Sequence, residues 1–174
     1  MADVEFIDNS AEVLRALQEN IETALEAVGQ QAVSHAKQTI EKGVPRHGGS
    51  WYTSQGGAGL RGSIEHKVVM SEKAVHVGTN NDHAAYNEFG TGAFAEGGGR
   101  QGWWVYVPGG GKSGTNTGKV YSFEEAKRIL AMLRADGLDA HMTNGIKPLH
   151  FLKDAALNHT AEYRATIKMC LEGK

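Results

Sequence analysis

Ile64-Glu65-His66-Lys67-Val68-Val69, a polar break at Ser71-Glu72-Lys73, and then Ala74-Val75-His76-Val77-Gly78 form the stretch that decides the fold class. Alternation puts Ile64, His66 and Val68 on one face and Glu65, Lys67 and Val69 on the other, because successive strand side chains point to opposite sides. Two such runs joined by a tight polar turn predict a β-hairpin. Upstream of it the pattern is helical. Between residues 10 and 42, Leu14, Leu17, Ile21, Leu25, Val28, Ala32 and Ala36 recur at three- and four-residue steps. They predict one long helix, capped by Asn9 or Ser10 with Glu12 completing a capping box, and stopped by Lys42-Gly43 and Pro45. A helix followed by antiparallel strands, rather than regular β-α-β alternation, makes the class α+β.

Downstream, Trp103-Trp104-Val105-Tyr106-Val107 reads as a third strand ended by Pro108, with Val120-Tyr121 as its partner across the loop 109–118. Ser122-Phe123-Glu124-Glu125 is a capping box opening a helix at 123–135, striped by Phe123, Ala126, Ile129, Leu130 and Leu133. Gly137 ends it, and Leu138 to Met142 follow as a short strand. This strand–helix–strand unit, 119–143, reads as an insertion. Pro148 suits the first turn of a last helix reaching about residue 171, with Leu152, Ala156, His159, Tyr163, Ile167 and Cys170 or Leu171 as its stripe. The expected architecture over 1–174 is therefore a single α+β domain. A long N-terminal and a C-terminal helix pack on a small antiparallel sheet, with the insertion and two flexible Gly-rich loops, 43–62 and 90–118.

Composition narrows the function classes. The chain has 174 residues, 40% of them apolar and 22% charged, enough for a packed core. No apolar run approaches the roughly 18 residues of a membrane span, and the acidic start Met1-Ala2-Asp3-Val4-Glu5 is unlike a signal peptide. The single cysteine, Cys170, leaves no disulfide framework and no multi-cysteine zinc site. The expectation is a soluble protein of a reducing compartment without a cofactor. Charge is segregated: residues 1–41 carry 2 basic and 8 acidic side chains, whereas 42–119 are net +3 and 120–174 net +1. A net charge of −2 argues against a dedicated nucleic-acid binder. The predicted helix would be about 50 Å long, against about 40 Å for the breadth of a compact domain of this size, so it bends at Gly29 or reaches a neighbouring subunit.

The chemical motifs dissolve on inspection. Gly109-Gly110-Gly111-Lys112-Ser113 ends like a phosphate-binding loop, but Tyr106 stands where the first glycine belongs and no helix follows. The runs starting at Gly90 and Gly97 spell a dinucleotide fingerprint without sitting between a strand and a helix. Of eight histidines, His47, His66, His76 and His83 fall in or near the β region, and no pair shows ligand spacing with a carboxylate partner. His159 beside Tyr163 reads as a core or interface residue, and Cys170 as a small buried hydrophobe. Trp103 and Trp104 point to opposite strand faces, one ring toward the core and the other toward a loop or subunit contact. With Trp51 they also suggest the alternative of a glycan- or peptidoglycan-binding module. No constellation supports an enzyme.

Three segments stand out together: Gly59-Leu60-Arg61-Gly62-Ser63-Ile64 after Val44-Pro45; Val77-Gly78-Thr79-Asn80 with Ala85-Tyr86-Asn87-Glu88-Phe89-Gly90-Thr91-Gly92; and Pro148-Leu149-His150-Phe151-Leu152-Lys153-Asp154-Ala155. Their order and spacing resemble the tail-completion, or head–tail connector, proteins of long-tailed bacteriophages. The likeness spans about 10–118 and 145–171; the insert around Trp51 and Tyr52 and the unit 119–143 depart from the family pattern. It implies a non-enzymatic virion protein of the tail or neck, present in the host cytoplasm during assembly. Its implied partners are further copies in a homo-oligomeric ring (a hexamer in the virion), a tail-tube or tail-terminator protein, and head connector proteins. DNA would pass through the ring without specific binding, and no membrane is involved. Tyr86 and Phe89 flank the Glu88 carboxylate beside the Gly90-Thr91-Gly92 turn, and Arg61 could pair with that carboxylate. These four, with Trp103, Trp104 and Phe151, are the expected structural and interface residues.

Overall fold

The computed structural model describes residues 8–47, 59–107 and 118–172. Its α-helices are α1 (Ser10–His47), α2 (Ala84–Phe89), α3 (Phe123–Ala135), α4 (Phe151–Asn158) and α5 (Thr160–Glu172). The strands β1 (Ile64–Val69) and β2 (Ala74–Thr79) form one antiparallel pair, and β3 (Trp104–Tyr106) and β4 (His141–Thr143) form another. The α+β class stands, with two separate two-stranded sheets in place of one. The chain divides into two compact units. One contains α1, the β1–β2 hairpin, α4 and α5 (residues 1–44, 48–81 and 151–174); the other takes 82–150 with 45–47.

In the first unit α1 runs for 38 residues, about 57 Å at 1.5 Å per residue. Its start is tied by Asp8, whose carboxylate accepts the Ser10 N–H at 2.9 Å, one residue earlier than the predicted cap. The buried face is not the predicted leucine stripe throughout. It runs through Ala24, Gly29, Ala32, Ala36 and Ile40, while Leu14 and Leu17 are exposed and Leu25 and Val28 only half-buried. The small residues mark where other elements come closest. A Cβ on Gly29 would lie 2.2 Å from the His66 ring of β1, so the strand's imidazole rests directly on the helix backbone. Gly29 is thus a contact position, and the register Ile64↔Thr79 through Val69↔Ala74 confirms the predicted hairpin.

The predicted last helix is two. Pro148 stands before it, His150 adopts a left-handed conformation (φ 54°), and α4 begins at Phe151. The Thr160 hydroxyl donates to the Leu157 carbonyl at 2.8 Å, marking the joint with α5 at His159. Such back-bonding gives the backbone an alternative to the regular helical ladder. The buried positions are Phe151, Ala155, Tyr163 and Thr166, so Ala156 is exposed, contrary to the predicted stripe. The Tyr163 hydroxyl donates to the Ala155 carbonyl at 2.7 Å across the joint.

The second unit holds the inserted segment. α3 occupies its predicted span, with the Ser122 hydroxyl accepting from the Glu125 N–H at 3.4 Å and the Glu125 carboxylate accepting the Ser122 N–H at 2.9 Å. β3 pairs mainly with β4 (Trp104↔Thr143, Val105↔Met142, Tyr106↔His141), whereas Val120-Tyr121 contributes only the bridge between Trp103 and Tyr121. Val105, Ala126 and Ala140 are buried at the centre, surrounded by Trp103, Ile129, Leu130, Leu133 and Met142. β3 therefore belongs to the same small layer as the insertion.

Candidate functional site

Among the described residues the candidate surface has two parts, one in each unit. The first is the beginning of α1. Every residue from Asp8 to Asn20 is exposed, and Ala24 is the first fully buried position. Val13, Leu14 and Leu17 are 63%, 59% and 46% exposed, on an arm that also carries Glu12, Glu19 and Glu22. Glu19, Glu22 and Glu26 line an open depression along the same helix. The arm thus offers an apolar strip flanked by acid, which none of the described residues covers.

The second part is α2, which carries three of the residues singled out from the sequence. Its burial is inverted: Asn87 and Glu88 are buried, at 0% and 5% exposure, while Tyr86 and Phe89 are 55% and 52% exposed. Asn87 earns its place by hydrogen bonding. Its side-chain amide donates to the His83 carbonyl at 2.8 Å and its own carbonyl accepts the Leu149 N–H at 2.7 Å. Directly after α2 the chain crosses itself. The Thr91 N–H donates to the Ile146 carbonyl at 2.9 Å, the Ile146 N–H to the Thr91 hydroxyl at 3.0 Å, and the Ala93 N–H to the Asn144 carbonyl at 2.8 Å. A Cβ on Gly145, where φ is +131°, would stand 2.0 Å from the Thr91 carbonyl oxygen, so only glycine permits the crossing. The two aromatic rings are therefore displayed from a short helix whose exit is firmly held.

The remaining sequence candidates divide between the units. Arg61, in the first unit, lies within the turn closed by the Ser63 N–H to the Gly59 carbonyl, and its guanidinium lies 3.7 Å from the Glu41 carboxylate. Its Nε is buried without a hydrogen-bond partner. Phe151 is fully buried and so belongs to the core. Trp103 meets Phe123 edge-on at 5.1 Å, and Trp104 lies against Gly92. Both indoles are half-buried in the packing of the second unit, and Trp51 lies outside the described residues, as do the loop cores 48–58 and 108–117.

The structure also brings together groups that sequence spacing did not. Six histidines, His35, His66, His76, His141, His150 and His159, sit within 3.5 Å of a carboxylate. Most instructive is the pairing of His35 and His159 through Glu162, whose oxygens are 3.0 and 3.2 Å from the two rings. The hydrogen bond from His159 chiefly holds the Glu162 carboxyl below its usual range. The bond from His66 does the same for Glu26. The only local signal was the i, i+3 spacing of His159 and Glu162; His35 is 127 residues away from Glu162. These three residues could hold a metal ion. Among the described residues no helix is long and apolar enough to cross a membrane.

Residues 5–90 match the family described as "Bacteriophage HK97-gp10, putative tail-component". That span takes in α1, the hairpin and α2, and so both parts of the candidate surface. No curated protein and no solved structure matches the chain.

Proposed function

We propose that this chain, whose residues 5–90 match the HK97-gp10-like family of phage tail components, is a non-enzymatic structural protein that completes the tail and joins it to the head. In this reading it works as a homo-oligomeric ring, hexameric in the virion. One face of the ring meets the tail-tube or tail-terminator protein and the other the head connector. DNA passes through the ring without base-specific contacts, and the protein is present in the host cytoplasm during assembly and in the tail or neck of the finished particle.

One observation carries the reading: the arm of α1 leaves Val13, Leu14 and Leu17 uncovered. Apolar strips rimmed by charge mark association sites in soluble proteins. A second copy is the occupant that suits it, because the arm is acidic while the rest of the chain is net basic. A patch that differs from its complement gives head-to-tail contacts, which close into rings. Tyr86 and Phe89 supply a second surface of the aromatic type enriched at interfaces.

The test is light scattering coupled to size exclusion, over a range of protein concentrations and with purified tail tubes. The parent protein is expected to assemble with rising concentration or on the tube, and Leu14→Asp with Leu17→Asp to abolish that assembly. A parent that remains monomeric under all these conditions, or a double variant that assembles equally well, refutes the reading.

A further inference from the structure

The tail reading leaves one cluster unused. His35 on α1 and His159 at the α4–α5 joint are stacked face to face, centroids 3.4 Å apart and planes within 9°. Glu162, in the first turn of α5, spans their edges, with Oε2 3.0 Å from His35 Nε2 and Oε1 3.2 Å from His159 Nδ1. The three donor atoms all lie within 4.8 Å of one another. We propose that His35, His159 and Glu162 form a binding site for a divalent transition ion of the zinc class, which pins α1 to α5.

The chemistry of the donors selects the ion. Two imidazoles and one carboxylate suit borderline ions such as zinc, whereas magnesium and calcium prefer oxygen ligands alone. Ligand atoms about 2.1 Å from one ion in a tetrahedral array stand about 3.4 Å apart. The observed N···O separations of 3.0 and 3.2 Å, one to each carboxylate oxygen, fall short of that spacing by only about 0.2–0.4 Å, so a small opening of the cluster admits the ion. Three protein ligands leave a fourth position for water. Binding requires the parallel rings to tilt so that their lone pairs converge. That tilt falls to His159, which stands outside both helices at the joint between α4 and α5. Nearby Tyr163 is already committed, through its hydroxyl, to the Ala155 carbonyl.

The surroundings fit a helix-joining role. One turn or so along the same two helices, Gln31 and Thr166 exchange side-chain hydrogen bonds at 2.9 and 3.1 Å. The ion would form a second and stronger tie between these helices. His35 Nδ1 is buried without a hydrogen-bond partner, so this ligand lacks the outer support that commonly orients a zinc-bound histidine. Missing support of that kind costs about 10- to 100-fold in affinity, which makes the ion exchangeable rather than permanently held.

Untagged protein, stripped with EDTA and dialysed, is titrated calorimetrically with zinc chloride and, separately, with magnesium chloride. Thermal melting is recorded with each ion. The expected result is one zinc per chain, a melting midpoint that rises with zinc concentration, and no response to magnesium. Glu162→Gln and His159→Gln should each weaken zinc binding at least tenfold while melting in EDTA close to the parent. His76→Gln, which breaks an isolated histidine–carboxylate pair on β2, should bind zinc like the parent. Cobalt should give visible absorption bands in the parent and lose them in Glu162→Gln. Absence of zinc binding, equal binding by parent, Glu162→Gln and His159→Gln, or equal loss in His76→Gln overturns the proposal. None of these outcomes depends on ring assembly, so the site and the tail reading fail separately.

Discussion

Replacing Gly29 by alanine tests the packing of the hairpin on α1. On helix propensity alone the change is favourable, because alanine exceeds glycine by about 1 kcal/mol in a helix interior. Here the new methyl group would lie 2.2 Å from His66 Cδ2 and 2.7 Å from Cγ. The imidazole must swing out, breaking its 2.8 Å contact with Glu26 and lifting β1 from the helix. Inserting a methyl group into a packed contact costs about 1–3 kcal/mol, so Gly29→Ala should destabilise by about 1 kcal/mol net, the propensity gain offsetting part of the cost. Urea denaturation of a double-mutant cycle isolates the contact. With His66 already replaced by alanine, Gly29→Ala meets no ring and should stabilise by about 1 kcal/mol, a coupling of about 2 kcal/mol. If Gly29→Ala stabilises the parent as much as it stabilises His66→Ala, the ring does not rest on the helix and the argument is wrong.

Three further outcomes follow from other sites. Ser122→Ala should cost about 1 kcal/mol by removing the α3 cap, measured by chemical denaturation. Bonds from the Ser122 N–H and hydroxyl hold the Glu125 carboxyl below its ordinary value. The cap's contribution is accordingly complete above the unfolded glutamate range and fades as pH falls through the lowered folded value. Ser122→Ala should therefore cost less at pH 3 than at pH 7. Gly145→Ala combines a left-handed φ with a clash against the Thr91 carbonyl and should destabilise by about 2–4 kcal/mol, seen as earlier melting of the Trp103 and Trp104 fluorescence signal. Tyr163→Phe keeps the buried ring but deletes its hydrogen bond to Ala155, costing about 1 kcal/mol by urea titration.

Local chemistry was legible and distant pairing was not. α3 could be bounded from sequence because its cap and its terminating Gly137 lie within the helix's own neighbourhood, and the hairpin because its turn joins its two strands directly. The pairing of Val120-Tyr121 with the strand after Gly102 holds at the Trp103–Tyr121 bridge, but β4 as its further partner was not legible, because three-residue strands carry too little pattern to name their mates. On α1 the leucine stripe was visible, but the face that packs is chosen by alanines and a glycine, which permit close approach and leave little periodic signal. α2 inverted the usual inference. Tyr86 and Phe89 read as interface candidates and are exposed, yet the burial of Asn87 depends on a bond it donates to the His83 carbonyl and one it accepts from the distant Leu149 N–H, which no local pattern reveals. His35 could not have been joined to Glu162 before the helices were placed side by side.

The crossing of Thr91–Gly92 with Asn144–Gly145 has an evolutionary corollary. It draws together the ends of everything between them, turning that stretch into a loop with a stapled neck, just past the limit of the family match at residue 90. Closing such a neck costs little more as the loop grows, since the entropy rises only with the logarithm of its length. Lineages can therefore trade β3, α3 and β4 for a shorter turn or a larger graft while α1 and the β1–β2 hairpin, which belong to the other unit, keep the contacts they make within it.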